Sequence, residues 1–397
     1  MQSSVLVLGA GPAGALAATL LARNGWDVLL ADQHKFPRDK VCGDGIPTGS
    51  LQILRQCGLG DKIDQAGFNP VKYISIIGPG GKRWTAGWHS KLPDAKEDLA
   101  TARRTEFDNL LFQSAMESGV QFVQGRISSI IMENGEVKGA NLSGISGKTD
   151  LWADVTIGAD GATSIIARTC LPDLFQQSNR WVAIRGYAQN NGFQPDRLEF
   201  HAHRELLSGY GWIFPVDGDT VNVGLGLLSN DYKNRESNLR TILHNFLQSG
   251  PIQKRIKAGT EIKNIASWTI PIYSHRKFSR SLPGALLVGD AGFLADPLTG
   301  EGIHNALQSA MIAAGVVDAA LKSPPEKRDN VLKTYDKLLR EEMAGVARRS
   351  SLLSRYVLGS ETLMNAIIRV ANTLPGLVDS IISTFSTDYF ITTERGN

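Results

Sequence analysis

The sequence predicts an α/β chain in which a Rossmann-type dinucleotide unit is joined to an antiparallel β-sheet substrate domain and a helical C-terminal region. Three observations lead there. Near the start, "VLVLGAGPAGALAATLLARNGWDVLLADQ" runs through an apolar strand, a glycine turn, a helix and a second strand. Further on, two apolar runs end in paired acid and glycine, "TIGADG" and "LLVGDAG". Elsewhere "KYISIIGPGGKRWTAGW" and "VNVGLGLL" alternate with a period of two, the pattern of strands with one buried face.

The chain's 397 residues exceed the length at which one core stops growing, so two closely joined domains are expected. A net charge of only +3, with no block of Lys and Arg, argues against a nucleic-acid partner. Cys42, Cys57 and Cys170 are an odd set without paired metal-ligand spacing. No metal site is therefore expected, and a reducing, cytoplasmic setting is. The uncharged run Val5 to Ala22 imitates a membrane anchor, but Gly9, Gly11, Pro12 and Gly14 interrupt it at an informative spacing.

The glycine motif predicts a strand over Val5–Leu8, a helix over Pro12–Asn24 and a strand over Asp27–Ala31. Gly9 permits the tight turn, Gly11 lets backbone approach a diphosphate, and Gly14 lets helix pack on strand. Pro12 and Ala13 open the helix, whose N-terminus offers amides to phosphate. Asp32 closes the second strand, where an acid would meet ribose hydroxyls. NAD and FAD both present an ADP moiety, so this unit alone does not choose between them.

Later segments extend the site. Thr156 to Cys170 reads as a strand ending in Asp160-Gly161, followed by a helix start. A strand over Ala285–Val288 ends in Gly289-Asp290 and runs through Pro297 and Gly300-Glu301-Gly302 into a small-residue helix opened by Ile303. An acid at the carboxyl end of a parallel strand faces the ligand crevice. A glycine pair at a helix start offers amides to developing negative charge.

With these residues in hand, the chain resembles the large family of FAD-dependent enzymes that includes the aromatic hydroxylases and the geranylgeranyl reductases. The resemblance implies FAD as cofactor, with Gly9, Gly11, Gly14 and Asp32 on its ADP half. It adds Arg104, three residues before Phe107-Asp108 in "RRTEFDNLL", then Asp160 and Gly161, and Gly289 and Asp290 near the ribityl chain. The implied FAD-binding domain is discontinuous: residues 1–69, 100–170 and 282–322. Residues 70–99 and 171–281 would form the substrate-binding domain, and 323–397 the helical region, helical to the end with a break at Pro375-Gly376.

Two features resemble the geranylgeranyl reductase branch. "FPRDKVCGDGIP" resembles its basic, Cys-Gly signature through Lys40, Cys42, Gly43, Asp44 and Gly45, which implies Arg38, Cys42 and Gly43 at the cofactor. "GYGWIFP" matches its pocket strand through Tyr210, Trp212, Phe214 and Pro215, although Leu207 stands where that branch usually has proline. Tyr210, Trp212 and Phe214 alternate, so on a strand they share one face and either line an apolar slot or fill a core.

The expected reaction is reduction of an isolated carbon–carbon double bond in an isoprenoid chain, with Cys42 as the acid. An unperturbed thiol is mostly protonated at neutral pH, whereas Arg38 and Lys40 would favour thiolate if they pointed at the sulfur. The alternatives are an FAD-dependent hydroxylase of an apolar or aromatic small molecule and an electron-relay flavoprotein. A single dinucleotide fingerprint leaves NADPH, bound transiently, or another carrier as reductant. The apolar spacing from Ser354 to Phe390, with Arg348, Arg349, Arg355 and Arg369 alongside, allows either a docked core helix or peripheral contact with a membrane.

Overall fold

A computed structural model of the chain describes residues 1–90, 99–144, 147–177, 179–189, 192–253, 255, 260–273, 278–376 and 389–393. Strand Gln2–Leu8 pairs in parallel with Val28–Asp32 on one side and with Gly147–Gly158 on the other. Gln121–Gln124 extends the sheet beyond Val28–Asp32, and Ala285–Leu287 extends it beyond Gly147–Gly158, again in parallel. The central strand is apolar throughout because both faces are covered. Val5 and Val7 join a core with helices Pro12–Arg23, Arg104–Glu117 and Ile303–Leu321, while Leu6 and Leu8 pack with Ala140, Leu142 and Leu151 on the opposite side. The glycine-motif elements thus begin and end within a few residues of their predicted bounds.

The second sheet runs Lys263–Pro271, Arg180–Gln189, Thr220–Leu228, Gly209–Pro215, Arg197–His201, Tyr73–Ile77, Arg83–Ser90 and Tyr389–Thr393. Its pairings are antiparallel except that between Arg197–His201 and Tyr73–Ile77. Between Tyr73–Ile77 and Arg83–Ser90 the chain turns where Gly78 N donates to Lys82 O and Gly81 takes φ +77°. One face of the sheet packs on helix Leu239–Leu247, so closely that a Cβ at Gly211 would lie 2.3 Å from the Phe246 ring. The other face carries the aromatic residues. A small sheet of Gly45–Ile46, Ala100–Thr101 and Asn69–Pro70 stands beside the loop that contains Cys42.

After Pro325 three helices follow, Pro325–Leu332, Thr334–Tyr356 and Glu361–Thr373. Tyr335, Leu339, Met343 and Ala347, spaced by four, pack into the core beneath helix Ile303–Leu321. The expectation of helix to the end is corrected: Tyr389–Thr393 is a strand on the edge of the second sheet, paired with Arg83–Ser90. Aromatic and β-branched residues dominate "YFITT", and such residues fit a pleated surface. Residues 377–388 and 394–397 of the expected helical region lie outside the described residues.

Candidate active site

The chain leaves strand Gln2–Leu8 for neighbours on one side and later returns to place neighbours on the other. The carboxyl ends of Gln2–Leu8 and Gly147–Gly158 therefore open a crevice at a topological switch point. At its rim Gly9 has φ +101°, and a Cβ there would lie 2.3 Å from Ala159 O. A Cβ at Gly14 would lie 1.8 Å from Gly9 O, so helix and turn touch only because both residues are glycine. Asp32 clasps the turn: Ala10 N donates to Oδ2 and His34 N to Oδ1, each at 2.8 Å. Each oxygen keeps a lone pair for a ligand hydroxyl. Gly11 faces open space, where an added Cβ would meet only the Arg38 guanidinium at 3.5 Å. The helix behind it begins with Pro12 and Ala13 and has no side-chain cap, which leaves its first amides to a ligand.

Asp108, fully buried, gathers two arginines over this crevice. Arg104 donates from Nε and Nη2 at 2.7 and 2.8 Å, and Arg38 from Nη1 at 2.6 Å. The Arg104 guanidinium and the backbone N–H of Asp44 both act on the Cys42 thiol, favouring its thiolate. Arg38 donates to Asp108, and Lys40 Nζ lies 3.7 Å from the centre of the Trp268 ring.

The opposite rim is formed by Asp160-Gly161 and Gly289-Asp290. Asp160 Oδ2 accepts Ile165 N at 2.7 Å, while its Oδ1 is buried with no hydrogen-bond partner among the described residues. Gly289, at φ +55°, donates to Ser309 Oγ and lies against Ala13. Gly302 caps helix Ile303–Leu321, with the Asp290 carboxylate 3.2 Å from where its Cβ would stand. An orphaned acid oxygen, an open glycine backbone under an arginine and an uncapped helix start together fit a flavin dinucleotide, which carries ribose and ribityl hydroxyls and a diphosphate.

Facing the Cys42 loop is the aromatic wall. Tyr210, Trp212 and Phe214 share one face of their strand, with Phe200 5.5 Å from Tyr210 and 5.0 Å from Phe214, ring centre to ring centre. Trp181 adds to it from the neighbouring strands and donates from Nε1 to Pro297 O. Its ring also lies against Gly300, and the Tyr210 hydroxyl donates to Thr299 O. Gly43 is pressed under the wall: a Cβ there would lie 3.1 Å from Phe214 and 3.3 Å from Trp212 Nε1. Pro215 ends the strand, and its carbonyl accepts from Thr101 Oγ1 and Asn69 Nδ2 at the small sheet. His304 packs against Gly49 of helix Thr48–Gln56.

Burial drives the ionisable groups of the crevice toward neutrality. It pushes the Cys42 thiol up, against the opposing pull of Arg104. Asp290 and Asp160 are raised by burial as well, Glu301 is raised to about 7, and Lys40 is lowered to about 7. Arg104 is the exception, held charged by Asp108.

Asp44 of the signature, with two residues that sequence reasoning left out of the site, holds the loop in place. Asp44, fully buried at φ +65°, accepts from Tyr187 Oη at 2.6 Å and from Asn222 Nδ2 at 2.8 Å. Asn222 also donates to Cys42 O and accepts Trp212 Nε1, linking thiol loop and aromatic wall through one amide. Arg185, fully buried, donates to both carboxylate oxygens of Asp39 at 2.7 Å. The available signal was a polar residue amid apolar alternation, Asn222 in "VNVGLGLL" and Arg185 in "WVAIRGYAQ".

Comparison with known proteins agrees with this geometry. Residues 2–350 match the family model described as an FAD binding domain. The chain is 32% identical over 342 residues to a digeranylgeranylglycerophospholipid reductase of Thermoplasma acidophilum, covering 85% of this chain and 83% of that protein. A menaquinone reductase of Mycobacterium tuberculosis is 29% identical over 399 residues, covering 94% and 91%. Among solved structures, a geranylgeranyl bacteriochlorophyll reductase-like protein from Thermoplasma acidophilum superposes with a TM-score of 0.82 at 26% identity, covering 93% and 91%.

Proposed function

The chain belongs to the FAD binding domain family and is an FAD-dependent oxidoreductase of the geranylgeranyl reductase type; from that premise we propose that it saturates carbon–carbon double bonds in a polyprenyl chain, with Cys42 as proton donor. The observation that carries the proposal is the position of the Cys42 loop: Gly43, next to the thiol, is pressed beneath Phe214 and Trp212 of the aromatic wall, and Asn222 ties Cys42 O to Trp212 Nε1. Digeranylgeranylglycerophospholipids and menaquinones both carry unsaturated isoprenoid chains, and an aromatic wall beside groups driven toward neutrality suits such a chain.

Bound FAD, once reduced, supplies hydride to one alkene carbon. The residues proposed to hold it are Gly11, Pro12, Ala13 and Gly14 at the diphosphate, Asp32 at the ribose, and Asp290 with Gly302 on the flavin half. Asp160 offers its free oxygen to a ligand hydroxyl, and Arg38 neutralises phosphate charge. The protein's own chemistry is at sulfur. Burial keeps the thiol protonated until the second alkene carbon takes its proton, and the thiolate left behind lies beside the Arg104 guanidinium. Tyr210, Trp212 and Phe214 orient the chain and exclude water. NADPH or a reduced protein carrier supplies the electrons from outside, binding only transiently.

Incubating the purified flavoprotein with a polyprenyl lipid and reductant, under anaerobic conditions, tests the reading by product mass. A gain of two hydrogens per double bond is expected. A gain of one oxygen in air would make the protein a hydroxylase, and flavin turnover without a lipid product would make it an electron relay. Comparing NADPH with reduced ferredoxin as bleaching agent for the flavin identifies the donor.

A further inference from the structure

The two helices Thr334–Tyr356 and Glu361–Thr373 carry apolar side chains on the outside as well as the inside. Glu361–Thr373 buries Met364, Ile368 and Ala371. A second stripe with the same helical spacing, Leu363, Ile367, Val370 and Leu374, lies exposed along its flank, Leu374 to 56%. Leu352 and Tyr356, at the end of the preceding helix, are 59% and 60% exposed. A surface helix ordinarily spends one apolar stripe on the core and turns polar residues outward. Clustered exposed apolar residues of this kind mark a contact surface.

The charge on this stretch identifies the partner. From Met343 to Gly376 the charged residues are Arg348, Arg349, Arg355, Arg369 and a single acid, Glu361, whose carboxylate accepts from Arg204. Arg348, Arg355 and Arg369 are exposed. A second copy of the chain would bring these arginines against their own kind, whereas lipid phosphates complement them. Among the described residues no helix is long and apolar enough to cross a membrane, so the contact is with the surface. We infer that the face running from Leu352 to Leu374 docks on an anionic phospholipid bilayer. Its apolar side chains enter the boundary between headgroup and acyl chain, and its arginines meet the phosphates.

The inner side of Glu361–Thr373 shares a core with Trp84 and Trp181, against which Tyr210 packs. One helix therefore separates the proposed lipid surface from the aromatic wall, a short path for an apolar chain. That last step rests on the reductase reading; the docking does not.

The test uses the FAD-loaded full chain, sedimented with vesicles of phosphatidylglycerol and phosphatidylcholine in equal parts or with phosphatidylcholine alone. Binding to the anionic vesicles is expected, weaker by about tenfold or more on the neutral ones and falling with added salt. Leu352→Glu with Ile367→Glu should weaken it by about tenfold or more, with melting temperature and flavin absorbance unchanged. Arg355→Gln and Arg369→Gln should each weaken it by about fivefold. Equal binding to both vesicles, no binding to either, or undiminished binding by the double glutamate variant overturns the inference. So does a lipid-free dimer that Ile367→Glu converts to monomer, since the face would then join two copies. Vesicle binding is read without substrate, so failure of alkene reduction leaves the docking standing, and failure of docking leaves the reductase reading standing.

Discussion

Tyr187 Oη donates a 2.6 Å hydrogen bond to Asp44 Oδ2, and through it a strand of the substrate sheet holds the loop that carries Cys42. The two residues are 143 positions apart in sequence. The acid is fully buried, and its second oxygen has no partner among the described residues.

That burial gives Asp44 a pH signature. Desolvation raises its carboxyl from 3.8 to about 6, against the hydrogen bonds from Tyr187 and Asn222, so the folded chain holds this proton more tightly than the unfolded chain. The resulting stabilisation is complete below the unfolded value and is lost as pH rises through about 6, a change of about 3 kcal/mol. Asp44→Asn keeps an acceptor for Tyr187, suits the positive φ and removes the titration. Thermal melts across about pH 4 to 7 should show the variant gaining on the parent as pH rises. A constant difference would mean that Asp44 does not titrate in this window.

Cys42→Ala should lower the rate of alkene reduction by about 10²–10⁴, the usual share of a positioned acid. Flavin content and lipid affinity should change little, because the thiol adds no bulk to the wall. Single-turnover oxidation of reduced enzyme by substrate measures this step. Full activity in Cys42→Ala or Cys42→Ser would remove the thiol from the chemistry.

Asp108→Ala should destabilise the protein by about 3–5 kcal/mol, because Arg104 is left buried without its carboxylate. Flavin should be lost along with stability, since Arg38 is released too. Urea titration and retained flavin after desalting report the two effects separately.

Gly14→Ala and Gly11→Ala should behave in opposite ways. At Gly14 the new methyl meets a backbone oxygen at 1.8 Å, so the strand, the turn or the helix must shift, at a cost of about 1–3 kcal/mol or more. At Gly11 it enters open crevice, so the apo fold should melt as before while flavin affinity falls. Melting temperatures of the apo variants and flavin titrations distinguish them.

The glycine turn was legible because its chemistry is local: Gly9, Gly14 and Asp32 serve one loop, and their spacing follows from the geometry of that loop. The alternation of Tyr210, Trp212 and Phe214 likewise reported a shared face. What could not be read was partnership. Asn222 reaches Cys42 and Asp44 across 180 and 178 residues, and nothing near it in sequence specifies either contact. Arg185 reads as an outward charge until Asp39 is seen to cover it. Nothing in the sequence tells that Lys40 meets Trp268, far along the chain, or that Arg38 meets Asp108, 70 positions away. The terminal strand Tyr389–Thr393 has a local signal in its aromatic and β-branched residues, but the edge that it joins, Arg83–Ser90, is about 300 residues away.

The loop from Phe36 to Pro47 is covalently continuous with the glycine turn, yet Asp39 and Asp44 tie it to Arg185, Tyr187 and Asn222 of the other sheet. Cofactor occupancy and pocket rigidity are for that reason one equilibrium. Any ligand that steadies the turn draws free energy from mass action and passes part of it to strands it never touches. The protection free energy of the Tyr187 and Asn222 amides against hydrogen exchange should rise with the logarithm of flavin concentration, making the substrate sheet a reporter of how well the protein is supplied with its cofactor.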